Sequence, residues 1–206
     1  MGRRLIPLLA RRGNKIKALV RPGSENKLPD QAQQIVGDAL RAESYSDNVA
    51  GADTFVHLIG VPHPSPKKAV QFREVDLVSI QAAVGAARNA GVKHFIYLSV
   101  AHPASMMKEY IAVRTEGEAL LRASGMSCTF VRPWYVLGPG HRWPLVLLPL
   151  YWVCELLPRT RDGARRLGLV TLGQMLNALL WSVENQPRGI QIIDVPAIRR
   201  FPRELP

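Results

Sequence analysis

The run His94-Phe95-Ile96-Tyr97-Leu98-Ser99-Val100 is almost uninterruptedly apolar, and it follows a helix-patterned stretch closed by Gly91. Such a run reads as a strand buried on both faces, which requires a sheet covered on both sides. Thr54–Gly60 and Ser127–Val131 have the same character, and Gly189–Val195 reads as a further strand. Two shorter strands are expected earlier, at Lys15–Arg21 before Pro22-Gly23 and around Gln34–Asp38. Between Phe72 and Ala90, Val75, Val78, Ala82, Ala83, Ala86, Ala87 and Ala90 mark a helix with a narrow, alanine-rich face that lets a sheet approach closely. Leu172, Met175, Leu176, Leu179, Leu180 and Val183 mark a second, amphipathic helix. Strands alternating with helices predict an α/β, doubly wound, mostly parallel sheet.

Length and charge narrow the possibilities. A chain of 206 residues can bury one full core, so residues 1–140 and 141–206 are read as two regions of a single domain. With 27 Lys+Arg against 16 Asp+Glu, the formal charge of +11 suits anionic partners such as nucleotide phosphates. The arginines are scattered, with no aromatic-basic motif, which argues against nucleic acid. Two cysteines and five dispersed histidines do not make a disulfide framework or a metal site. No signal peptide is evident, so the cytoplasm is the expected location. The apolar run from Trp143 to Pro158 is shorter than the about 20 residues a spanning helix needs, and it contains Glu155 and Pro149. It reads as a buried or pocket-lining helix, or as a peripheral membrane contact over 143–166. The Pro- and Arg-rich tail, Pro196–Pro206, is expected to pack poorly. Oligomeric state is not legible.

Tyr110 and Arg114 are spaced i, i+4 on the helix expected after the His94 strand, so both address one volume beside that strand's C-terminal end. Ligands bind there in open α/β sheets. A sheet of this kind grips a dinucleotide with a glycine-rich turn between its first strand and first helix, yet Leu5, Leu8 and Leu9 already follow helical spacing and only Gly2 precedes them. The first strand is therefore expected to be missing, through an N-terminal truncation or in a true short form. Its loss would leave two neighbouring strands with unpaired backbone groups.

In order and spacing, the segments resemble the atypical and extended short-chain dehydrogenase/reductase superfamily, in its NmrA-like and NAD-dependent epimerase/dehydratase-like branch. Met1-Gly2-Arg3-Arg4-Leu5 resembles the tail of that family's Gly-x-x-Gly-x-x-Gly segment. Leu19-Val20-Arg21-Pro22, Val36-Gly37-Asp38 and Gly51-Ala52-Asp53 with Leu58-Ile59-Gly60 resemble its second, third and fourth strands. Tyr97-Leu98-Ser99, Tyr110-x-x-x-Arg114 and Arg132-Pro133-x-x-Val136-x-Gly138-Pro139-Gly140 resemble its active-site strand, helix and following loop.

The resemblance implies a Rossmann-like fold, a nicotinamide dinucleotide and an unidentified small-molecule substrate. It implies oxidoreductase or epimerase/dehydratase-type chemistry, or cofactor binding alone in a sensor or assembly factor. Cofactor contacts are implied at Gly2, Arg21, Asp38, Leu58, Ile59, Gly60, Ser99 and Pro133, and catalytic roles at Ser99, Tyr110 and Arg114. Arg21 stands where an acidic residue would hold a ribose 2′-hydroxyl. A guanidinium suits a 2′-phosphate and hence favours NADP(H) over NAD(H), the alternative being a solvated arginine after a strand. Asp38 could accept from the adenine amine or simply shape a turn. Gly60 could admit the cofactor or mark a bend. A phenol of pKa about 10 needs a nearby cation to work at neutral pH. The family places lysine where this chain has Arg114, which is planar and never deprotonated, so the pair is either an acid/base site or structural. Ser99 could position a carbonyl or end the strand. Trp134, Tyr135, Trp143, Tyr151 and Trp152 suggest an aromatic-lined pocket, or packing between sheet and C-terminal region.

Overall fold

A computed structural model describes residues 1–138 and 160–204. Helix α1 (Gly2–Arg11) leads into β1 (Lys17–Val20), which pairs in parallel with β2 (Gln33–Val36), Lys17 opposite Gln33. The short α2 (Ser46–Val49) precedes β3 (Thr54–His57). A turn, α3 (Ala69–Gln71), runs through a π-helical segment, Phe72–Leu77, into α4 (Val78–Asn89). Next come β4 (His94–Leu98), α5 (Lys108–Ala123), β5 (Ser127–Arg132) and β6 (Tyr135–Leu137). After residue 159 follow α6 (Arg161–Arg166), β7 (Leu169–Thr171), α7 (Leu172–Glu184), β8 (Ile190–Asp194) and α8 (Val195–Ile198). Strands β3, β4, β5 and β8 form one parallel sheet in that order, and β6 pairs with β7.

Alternation along β4 explains the layers. Phe95 and Tyr97 point to the side where α4 and α5 bury Ile80, Ala83, Ala87, Val113 and Leu121. Ile96 and Val131 face the other side, against Leu5, Leu8 and Leu9 of α1 and Met175, Leu176 and Leu179 of α7. Phe95, Ile96 and Tyr97 are wholly buried, each contributing about 1.5–3 kcal/mol. The expected doubly wound α/β arrangement is thus present, and the alanines of α4 let it lie close on the sheet.

Three expectations need correction. Helix α7 is not one-faced: Gln174, Asn177 and Ser182 are buried along with its apolar residues. Thr171 and Gln174 form a reciprocal cap at its start, Gln174 N–H donating to Thr171 Oγ1 and Thr171 N–H to Gln174 Oε1. The tail is also packed. Gln174 Nε2 donates to Arg199 O at 3.0 Å, and Asn177 Nδ2 to Pro202 O and Glu204 O. Val195 and Ile198 are fully buried. A Cβ on Gly173 would collide with Arg203 O, so glycine is what admits the tail there. The apolar content of α7 needs this cover. The stretch read as a loop after β5 also contains a strand, β6, held by β7.

Among the described residues no ladder joins β1 to β3, and a cavity of ≈ 480 Å³ lies between them, walled by α1 and α4.

Burial drives the His57 imidazole down to about 3, with help from the Arg114 charge, and the His94 imidazole down to about 4. The unfolded chain therefore binds more protons than the folded one from about pH 6.5 downward. Stability is full above that pH and is lost as pH falls, each histidine contributing about 1.4 kcal/mol per pH unit. Asp76, whose carboxyl burial pushes up, works in the opposite sense. Urea midpoints measured from pH 7.5 downward should therefore fall, and His57→Leu should flatten the slope by roughly half.

Candidate functional site

The C-terminal ends of β3 and β4 are fastened by one side chain. Arg114, on α5, donates from Nη1 to Leu98 O at 2.8 Å, and from Nη2 to Ile59 O at 3.2 Å and Asp76 Oδ2 at 3.0 Å. Asp76 comes from the π-helical segment, and its Oδ1 accepts from Val61 N–H at 2.7 Å. Both members of the ion pair are buried, at 3% and 0% side-chain exposure. Burial opposes the Arg114 charge, but Tyr110, Tyr97 and Asp76 outweigh it and hold the guanidinium charged. Burial pushes the Asp76 carboxyl up against the opposing pull of Arg114.

Tyr110 and Arg114 are together, as their spacing requires, but by stacking: the guanidinium carbon lies 5.3 Å from the Tyr110 ring centre and 5.6 Å from that of Tyr97. The Tyr110 ring also packs on Phe72, 5.0 Å between centres. Gly60 is explained by the same cluster, since a Cβ there would overlap Arg114 Nη2. The close neighbour that Gly60 admits is thus a guanidinium of this chain.

A second buried carboxylate organises the end of β4. Ser99 continues the ladder, its N–H donating to Val131 O at 2.8 Å, and its Oγ donates to Glu118 Oε1 at 2.7 Å. Arg132 grips Glu118 with both arms, Nε to Oε1 at 2.8 Å and Nη2 to Oε2. His102 Nε2 lies 3.8 Å from Glu118 Oε1, its pKa lowered first by burial and then by Arg132. Pro133 is buried, and its carbonyl accepts from Ala101 N–H at 2.9 Å.

The remaining candidates lie across the gap. Gly2 opens α1, whose first turn holds no acidic residue and no side-chain cap, while Arg3 and Arg4 are exposed. The Arg4 and Leu5 N–H groups both donate to Met1 O, at 3.0 and 3.1 Å, which leaves those of Gly2 and Arg3 at the open end of the helix. A Cβ on Gly2 would sit 3.9 Å from Leu58 Cδ1, so the helix starts beside the C-terminal end of β3. Arg21 is exposed just past β1. Asp38, just past β2, accepts from Leu40 N–H at 3.0 Å through Oδ1, the ordinary geometry of a turn aspartate.

These residues form two groups. Gly2, Arg21, Asp38 and Leu58 lie at strand and helix ends, and of these Gly2 and Leu58 line the gap. Ser99 and Arg114 are tied into two buried carboxylate clusters, with Ile59 and Gly60 against the second of these side chains. Sequence reading missed Asp76 and Glu118. The available signals were an acid among the apolar residues that lead into the alanine-rich helix, and an acid one further turn along from Tyr110 and Arg114. Trp134 and Tyr135 stack edge-on at 5.8 Å, while Trp143, Tyr151, Trp152 and most of the 143–166 segment lie outside the described residues. Among the described residues no helix is long and apolar enough to cross a membrane, and no acid, histidine and cysteine cluster could hold a metal.

Residues 1–141 match the model of a family described as NAD(P)H-binding. A ceramide reductase of Caulobacter vibrioides is 30% identical over 167 residues, covering 80% of this chain and 52% of that protein, so the chain spans about half of that relative's length. Among solved structures, gox2253 shares 19% identity at a TM-score of 0.68, over 94% of this chain and 66% of that one. A UDP-glucose 4-epimerase of Thermus thermophilus, in complex with NAD, shares 17% at 0.66, over 96% and 77%. MoeE5, in complex with UDP-glucuronic acid and NAD, shares 22% at 0.67, over 93% and 71%. At these identities the structural likeness is one of fold.

The Arg114–Asp76 pair generates a stability prediction. Arg114→Met strands a buried carboxylate and should cost about 3–5 kcal/mol in urea unfolding. Adding Asp76→Leu should restore part of that loss, and a double-mutant cycle should return a coupling of about 1 kcal/mol or more.

Proposed function

We propose, because the chain belongs to the NAD(P)H-binding family, that it binds a nicotinamide dinucleotide across the gap between β1 and β3, with NADP(H) preferred to NAD(H). The observation that carries this reading is the uncapped start of α1, flanked by Arg3 and Arg4 and set beside Leu58. A helix N-terminus with free N–H groups and no acidic neighbour is a ready anion site. Gly2 gives a phosphate room to approach it. Arg21, exposed at the tip of β1, would hold a ribose 2′-phosphate, and Asp38 would reach the adenine amine through its second carboxylate oxygen. When bound, the cofactor supplies hydride-transfer chemistry.

The whole protein's activity is then of the oxidoreductase or epimerase type, and the curated relative's name supports a reductase acting on a small-molecule carbonyl. Tyr110 would be the proton donor or acceptor and Ser99 the hydrogen-bond donor to substrate, with residues 141–206 completing the substrate side of the same domain. One observation favours a second reading, cofactor binding without turnover. Arg114 spends its charge on Asp76, and Ser99 its proton on Glu118.

Fluorescence titration tests the binding proposal directly. NADPH should bind more tightly than NADH, and Arg21→Ala should weaken NADPH about 10-fold or more, the equivalent of one charge-assisted contact, while leaving NADH unchanged. Failure to bind either nucleotide would remove the proposal. Turnover that survives Tyr110→Phe would take the tyrosine out of the chemistry, and no turnover with bound NADPH and candidate carbonyl substrates would leave the binding-only reading.

A further inference from the structure

Charge is divided unequally between the two sides of the sheet. On the side of α4 and α5 it cancels. Arg73 and Arg88 stand against Glu74 and Asp76, and Lys108, Arg114 and Arg122 against Glu109, Glu116 and Glu118. On the side of α1 and α7 it does not cancel. Helix α1 and its cap carry Arg3, Arg4, Arg11 and Arg12 with no acid. Helix α6 carries Arg161, Arg165 and Arg166 against Asp162, and the tail carries Arg199, Arg200 and Arg203 against Glu204. Helix α7 adds one charge, Glu184.

Contacts link these arginines into one surface. Arg12 Nε lies 3.6 Å from Glu184 Oε1, which ties the end of α1 to the end of α7. One turn earlier on α7, Trp181 packs on Phe201, 6.0 Å between ring centres, and both residues are half-buried. Phe201 follows Arg200 directly, and Asn177 holds the carbonyls of Pro202 and Glu204 on either side of Arg203. Arg199 Nε donates to Leu169 O at 3.0 Å, and α6 packs on α8. The exposed Arg161 and Arg165, one turn apart, therefore extend the same side.

We propose that this face docks on an anionic phospholipid surface, with Trp181 and Phe201 at headgroup level and Arg11, Arg12, Arg200 and Arg203 around them. These four arginines are all exposed and come from separate elements without converging on a point. They suit an extended array of charges over a single small anion. A partly open aromatic pair among them fits the boundary between headgroups and acyl chains, where amphipathic rings and basic side chains act together. Nucleic acid is the other extended polyanion. Binding it through this face would need an element that enters a groove or an open ring for bases to stack on, and Trp181 spends its ring on Phe201. Exposed arginines are stable in water, so the face needs no cover to complete the fold, and the lipid surface is an added partner. Arg3 and Arg4 are left to the dinucleotide, so docking and cofactor binding use different residues.

Vesicle co-sedimentation tests this on the full 206-residue chain, without cofactor, in low-salt buffer. The probes are vesicles of phosphatidylcholine alone and of phosphatidylcholine with about a third phosphatidylglycerol. The chain should pellet with the anionic vesicles and not with the neutral ones, and added salt should release it. Arg200→Gln/Arg203→Gln should weaken binding about 25-fold, roughly fivefold for each charge near an anionic surface. Arg88→Gln/Lys108→Gln removes the same charge from the other side of the sheet and should leave binding within about twofold. All four residues are exposed, so neither double variant disturbs the core. Brominated acyl chains should quench the tryptophan emission of the bound chain, and quench it less in Trp181→Phe. Absence of binding to anionic vesicles, equal binding to neutral ones, or equal loss in the two double variants would overturn the proposal. Quenching unchanged by Trp181→Phe, or a duplex DNA oligonucleotide bound as tightly as the anionic vesicles, would overturn it equally.

Discussion

One buried side chain, Arg114, ties four segments of this structure together. Its guanidinium reaches the carbonyl of Leu98 at the end of β4, the carbonyl of Ile59 beyond β3, and the carboxylate of Asp76 before α4, all from α5. Strand ends normally fray into loops, because their last carbonyls have no ladder partner. A buried fork of donors satisfies two of these at once and fixes where each loop departs. The cost is that a charge must be desolvated, and Asp76 compensates it. The π-helical turn of Phe72–Leu77 belongs to the same solution, since it holds the residue that supplies the counter-charge.

This arrangement changes how the family's motif reads on this chain. In sequence, Tyr110 and a cation four residues on suggest a phenol tuned for proton transfer. In space, the cation faces a carboxylate, and the phenol is one of two rings stacked beside it. Ser99 is likewise placed by Glu118 and Arg132, which together fix its rotamer. Arg3 and Arg4 at the start of α1 and Arg21 beyond β1, in contrast, are exposed.

Much of the fold was legible because its signals are local. Apolar runs marked β4, β5 and β3, alanine spacing marked α4, and missing glycines marked the gap beside β1. What was not legible depends on distant partners. Nothing in Gly60 or Gly173 says that a guanidinium or a tail carbonyl will press on it. Gln174 and Asn177 look like the polar side of an amphipathic helix until the tail folds over them. Asp76 and Glu118 are ordinary helix acids until Arg114 and Arg132 arrive from elsewhere in the chain. In each case the deciding contact spans many residues, and local pattern carries no record of it.

The position of β8 has a consequence for how the chain is made. Strand β5 pairs with β4 on one edge and with residues 190–194 on the other, and the lower face of both strands waits for Met175, Leu176 and Leu179. During vectorial synthesis the strands β1 to β5 emerge long before these last elements. For that interval a nascent chain carries an apolar sheet face without its cover and an unpaired edge on β5. Such a species is a natural client for chaperones, and slow emergence of α7 and β8 would expose it longest.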